Sequence, residues 1–139
     1  MNNNIKVYII SCAYKANKFA INCIESVARQ SVLPEKHYYI DDMSEDENKT
    51  TDSARNIIEK NNYKHVELIT NKHRKHRLKN IYDIIKTIKD PEAIVMLLDG
   101  DDWLSTEKSI EIIKNKYHKN NKLEYVYTNW KYSHNNQIG

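Results

Sequence analysis

Short β-branched runs and amphipathic stretches alternate along almost the whole chain, and that order restricts the fold more than any other feature. "IKVYII" (5–10), "HYYID" (37–41), "HVELIT" (65–70), "EAIVMLL" (92–98) and "LEYVYTNW" (123–130) read as strands. Between them, "KFAINCIESVARQ" (18–30) sets Ala20, Ile24 and Val27 on one helical face. "SEDE" (44–47) has the spacing of a capping box opening a second helix, which carries Ala54, Ile57 and Ile58. "RLKNIYDIIKTIK" (77–89) places Leu78, Ile81, Ile85 and Ile88 at amphipathic spacing, and "STEKSIEIIKNKYHK" (105–119) does the same with Ile110, Ile113 and Tyr117. Parallel strands need crossover connections, commonly helices. The expected fold is therefore α/β, a mostly parallel sheet flanked by helices.

A length of 139 residues fits one domain with a sizeable core, and 29% charged residues describe a globular chain. No apolar run approaches the ~20 residues that cross a bilayer. The first residues lack the basic and apolar regions of a secretory signal. Cys12 and Cys23 have no CxxC spacing, so a reducing, cytoplasmic setting is expected. The net charge of +3 is compatible with a phosphate-bearing partner without requiring one.

In open α/β sheets, ligands bind outside the carboxyl ends of the strands, and three polar clusters fall there. "SCAY" (11–14) follows the first strand, Asp41-Asp42 the second, and Asp99-Gly100-Asp101-Asp102 the fourth. Carboxylates beside a glycine can hold a hard divalent cation, with water and phosphate completing its shell. The competing reading is a solvated loop whose aspartates cap the helix starting near Ser105. Asp41-Asp42 can likewise be a turn at a helix start. The basic run "NKHRKHRLKN" (71–80) suits phosphates by charge and Arg geometry, or is simply solvated. Gly100 is the only glycine before the last residue, so neither a Walker loop nor a GxGxxG fingerprint can exist.

Taken in order, "YIISCAY…CIESVARQS", "YYIDDMSEDENKT", "NKHRKHRLKN" and "LLDGDDWL" resemble the family 2 glycosyltransferases, with their Rossmann-like GT-A fold. The resemblance spans roughly residues 5 to 130. It implies a nucleotide-diphosphate sugar, first of all a UDP-sugar, and Mn²⁺ or Mg²⁺. Carried over by position, Cys12, Ala13 and Tyr14 would line the nucleoside pocket and Asp42 would hydrogen-bond the base. Asp99 would lie near the ribose or sugar, and Asp101 would ligate the metal with Asp99 and Asp102 in support. A basic side chain in 74–79, with Lys79 as the named candidate, would contact the nucleotide. Gly100 would narrow the turn and leave room for metal and diphosphate. Lys15 stands where the family commonly has Asn, and Met43 where it commonly has Gly.

The resemblance also implies an inverting transfer to a glycan, protein or lipid acceptor. A nucleic-acid-binding protein using the basic run is a further reading, but it gives the acidic clusters no role, so no nucleic acid is expected. Family members continue well past the acidic motif into an acceptor-binding half that holds the catalytic base. Residues 1–139 are accordingly expected to be a single donor-binding domain that stops short of that half. The alternative function is a nucleotide-sugar-binding module, or degenerate enzyme, that transfers nothing.

Overall fold

The computed structural model describes residues 5–120 and 122–138. Strands β1 (Val7–Ala13), β2 (Lys36–Asp41), β3 (Val66–Thr70) and β4 (Ile94–Leu97) alternate with helices α1 (Asn17–Ala28), α2 (Lys49–Asn61), α3 (His76–Ile85) and α4 (Ser109–Lys119). The strands form one parallel sheet in the order β3-β2-β1-β4. The chain thus steps outward from β1 to β3, then returns to lay β4 on the other side of β1. Right-handed crossovers then require α1 and α2 on one face and α3 on the opposite one.

The cores follow that rule. Ala20, Cys23 and Ile24 of α1 pack with Ala54 of α2 over Ala13 and Tyr39. Ile110 of α4 joins this side, against Val27, Val7 and Ile9. Ile84 of α3 covers Ile10 and Ile40 on the other face. Side chains alternate across a strand, so Val7, Ile9 and Ala13 serve one layer and Ile10 the other. β1 runs three residues beyond the expected 5–10, because Ser11, Cys12 and Ala13 pair with Tyr39, Ile40 and Asp41.

Three local expectations are corrected. The run 123–130 forms no strand: Tyr125, Tyr127 and Trp130 are exposed, and only an isolated bridge joins Lys131 to Ile138. Its alternation supplies strand propensity, but propensity without a paired edge does not make a ladder. The Ser44–Glu47 capping box is absent, and a turn at 45–48 precedes α2 instead. Asp46 does the capping, its Oδ2 accepting from the Thr50 amide at 3.1 Å, while the Ser44 hydroxyl accepts from the Lys15 amide at 2.8 Å. Finally, α3 meets its expectation only in part: Ile81 and Ile88 pack against the Ile10, Ile40 and Ile84 cluster, whereas Leu78 and Ile85 face solvent and Asn80 is buried instead. There the Asn80 Oδ1 accepts from Asn71 at 2.7 Å, while its Nδ2 is buried without a partner among the described residues.

His37 is fully buried on β2, its Nε2 2.9 Å from the Ser11 hydroxyl and its Nδ1 without a partner. Burial, and then the neighbouring His65, push its pKa down to about 3. The unfolded chain binds a proton near pH 6.5 that the native chain refuses, so stability falls as pH drops from there toward 3. Unfolding free energies from urea titrations between pH 7 and pH 4 should decline steadily, by up to about 1.4 kcal/mol per pH unit. His37→Asn should flatten that decline. An unchanged slope in the variant would assign the acid sensitivity elsewhere.

Candidate functional site

The sheet order makes the gap between β1 and β4 the point where successive connections diverge, and such switch points open a crevice at the strand ends. The acidic loop is fastened there through backbone. Gly100 N–H donates to the Cys12 carbonyl at 3.0 Å, and the Tyr39 hydroxyl donates to the Gly100 carbonyl at 2.9 Å. A Cβ on Gly100 would sit 2.6 Å from the Ala13 Cβ and 2.8 Å from both the Ala13 Cα and the Cys12 oxygen. Gly100 does not adopt a left-handed φ. Its missing side chain makes room for β1.

Left-handed backbone occurs nearby, at residues that are not glycine. Lys15 and Met43 both have φ of 55°. These are the two positions where the sequence departs from the Asn and Gly common in the resembling family, and both residue types tolerate that region better.

The two aspartates after β2 do different work. Asp41 is buried, its Oδ1 accepting from the Ser44 amide at 2.9 Å and its Oδ2 from the Thr51 hydroxyl, which ties the turn to α2. Asp42 is buried and anchors the loop after β3. Its Oδ1 accepts from Asn71 and the Lys75 amide, both at 2.8 Å, and its Oδ2 from the His76 amide at 2.7 Å. Burial raises its pKa, but the hydrogen bonds it accepts, that of the Lys75 amide first, outweigh it, so the net shift is downward. Asp42 is therefore an ionised hub filled by this chain's own donors.

The anchored loop delivers two guanidinium groups to the crevice. Arg74 stacks on the Tyr14 ring at 3.6 Å, and the Tyr14 hydroxyl donates to Glu45 at 3.3 Å. Arg77 pairs with Asp99 at 3.0 Å. Sequence reasoning named the basic run but not these two residues. Lys79 is not brought to this edge, since its ammonium pairs with Asp83 one turn along α3. Cys12 is half-buried with its sulfur 4.0 Å from the Arg77 carbonyl, and burial pushes the thiol up to about 11. Ala13 is buried, its Cβ facing Gly100. Asn71 and Asn80 were also missed as site-forming residues, though both lie at the ends of the quoted basic run.

Asp101 and Asp102 are exposed. Burial, and then the charges of Asp101 and Asp99, raise the Asp102 pKa. Among the described residues no three His, Cys, Asp or Glu side chains converge as a metal cluster. The donor set still fits a hard cation that takes one or two protein carboxylates and completes its shell with water and phosphate. An open trough of about 2330 Å³ runs beside β4, and Arg77, Asp99, Asp101, Asp102 and Trp103 are among the residues lining it.

The family model described as glycosyl transferase family 2 matches residues 8–137. The chain belongs to that family. No curated protein sequence matches it. Among solved structures, it is similar to the mannosyltransferase PcManGT from Pyrobaculum calidifontis, in complex with GDP-Man and Mn²⁺. There the TM-score is 0.68 at 15% identity, over 81% of this chain and 32% of that one. It is also similar to S. aureus TarS 1-349 in complex with UDP-GlcNAc, with a TM-score of 0.66 at 18% identity over 84% and 32% of the respective chains. The fold is thus the GT-A architecture expected for family 2. This family 2 chain spans about a third of the length of those structures.

Two substitutions test the site's backbone. Gly100→Ala should destabilise the protein by about 1–3 kcal/mol, since the contacts it violates include backbone atoms. Met43→Gly should stabilise it by roughly 1 kcal/mol by relieving the left-handed φ. Thermal or urea unfolding reads both, and a neutral Gly100→Ala would remove the steric role given to this glycine.

Proposed function

We propose that this family 2 chain carries the donor-binding part of an inverting, metal-dependent glycosyltransferase acting on a nucleotide-diphosphate sugar. The observation that carries the reading is the meeting of opposite charges at the switch point: Arg77 is bonded to Asp99, beside Asp101 and Asp102. An isolated carboxylate group would repel a diphosphate, whereas guanidinium and cation together attract one. Tyr14, held between Arg74 and Glu45, offers a flat surface next to the strand ends on which a nucleobase can stack. Cys12, Ala13 and Tyr14 border that nucleoside position. Asp42 acts on it by fixing the 71–76 loop, which leaves its hydrogen bond to the base a finer part of the proposal.

Asp101, with Asp99 and Asp102 beside it, would hold Mn²⁺ or Mg²⁺, which as a Lewis acid would stabilise the departing diphosphate. Arg77 would balance charge on the same group, exchanging Asp99 for phosphate oxygens. A UDP-sugar is the first donor to try, followed by GDP conjugates, the two nucleotide types bound by the similar structures. The acceptor, whether glycan, protein or lipid, needs a base to deprotonate its hydroxyl. Glu107, Glu111 and Glu124 follow the acidic motif, and the first two are poorly placed for that role. The Glu107 carbonyl accepts from the Ser31 amide and the Glu111 carboxylate from the Ser31 hydroxyl, beyond the end of α1 remote from the acidic loop. Residues 1–139 alone are therefore proposed to bind donor without efficient transfer, the acceptor-binding half being supplied by further sequence.

Calorimetric titration of UDP, GDP and their sugar conjugates, with and without Mn²⁺, tests this on wild type and Asp101→Ala. Metal-dependent binding that the substitution abolishes is expected. Binding indifferent to both the metal and Asp101, or none from a folded sample, would reject the donor site. Robust transfer to an acceptor by these 139 residues would reject the division of labour.

A further inference from the structure

The outer side of α3 presents an apolar stripe to water. Leu78, Tyr82 and Ile85 follow one another at spacings of four and three, which puts them on one side of the helix. They are 80%, 55% and 44% exposed, on a helix whose other face buries Asn80 and Ile84. Cations border the stripe: the ammonium groups of Lys79 and Lys86 lie 5.6 and 5.3 Å from the Tyr82 ring centre. Residues 72–89 hold seven Lys and Arg against the single acid Asp83, a net +6 in a chain whose total is +3. All seven are exposed. The rest of the protein thus has a formal net charge of −3, with a second, smaller run of four lysines without an acid at 112–123.

We infer that the solvent face of α3 docks onto an anionic lipid membrane, with Leu78, Tyr82 and Ile85 entering the headgroup boundary and the surrounding lysines meeting lipid phosphates. An amphipathic helix with apolar residues on one side and Lys on its flanks suits the plane of a membrane surface. No helix among the described residues is long and apolar enough to cross a bilayer, so contact of this kind is peripheral. Charge decides between occupants. A second copy would bring the same basic face against itself and be repelled. A polynucleotide would satisfy the lysines and leave the stripe in water. An anionic bilayer satisfies both. The inference stands apart from the donor-site reading. Were both to hold, Arg77 at the start of α3 would keep the acidic loop close to the lipid surface.

Co-sedimentation of residues 1–139 with vesicles provides the test. Vesicles of phosphatidylcholine containing phosphatidylglycerol should bind the protein, and phosphatidylcholine alone should not. The double variant Lys86→Ala, Lys89→Ala should weaken binding roughly thirty-fold, since each surface lysine contributes about a factor of five. Leu78→Ser with Tyr82→Ser should lower the fraction bound at ionic strength of about 0.1 M, with circular dichroism showing a folded chain. Donor titration should be unaltered in the lysine variant, which separates failure here from failure of the donor site. Three outcomes overturn the inference: no preference for anionic vesicles, apolar variants that bind like wild type, or tighter binding to polynucleotide than to vesicles. Self-association abolished by the apolar variants would overturn it too.

Discussion

The contact between Gly100 and the end of β1 is the constraint on which the candidate site depends. Two backbones meet there with no side chain between them. Gly100 N–H bonds the Cys12 carbonyl, and the Tyr39 hydroxyl reaches from β2 to the Gly100 carbonyl. The acidic loop is thereby fixed to the two central strands, at the one place where the sheet order opens a crevice. The tyrosine bond is buried, and burial also raises the Tyr39 pKa, so its proton stays in place to donate.

A second anchor, Asp42, works from the opposite side of the crevice. Its carboxylate gathers the amides of Lys75 and His76 and the side chain of Asn71, holding a loop of like-charged residues in one conformation. That loop would otherwise repel itself and the helix start it joins. Held as it is, it turns Arg74 onto Tyr14 and Arg77 onto Asp99. Membership of glycosyl transferase family 2 gives this arrangement its context. What the arrangement offers chemically is a boundary of carboxylates and guanidinium groups suited to a charged, metal-associated ligand.

The four strands, four helices and parallel order were legible because each rests on short-range information: a β-branched run, a helical spacing, a crossover long enough to reverse direction. Boundaries moved where pairing or capping chemistry intervened, as when Asp46 replaced Ser44 at the start of α2. Larger misreadings share one cause. Leu78 and Ile85 fit an inward helical face by spacing, and Tyr125 and Tyr127 fit an alternating strand. Spacing, however, describes what a segment could bury, not whether a surface exists to receive it. Asn80 took an inward position on α3, where it accepts from Asn71. The run 123–130 found no partner edge among the described residues.

For the site, the sequence by itself determined which residues stand at the strand ends and hence which charges share one edge, because a parallel sheet sends every carboxyl end the same way. It also determined that any phosphate must be met without a glycine-rich loop, since Gly100 is the only glycine before the last residue. Only the tertiary structure decided which cation faces which carboxylate, that Asp42 is an internal anchor, and that Gly100 is required by a neighbouring strand. Those outcomes turn on contacts between residues far apart in the chain, such as Ala13 with Gly100 and Asp42 with His76. Distances of that kind are set by packing, which no local pattern encodes.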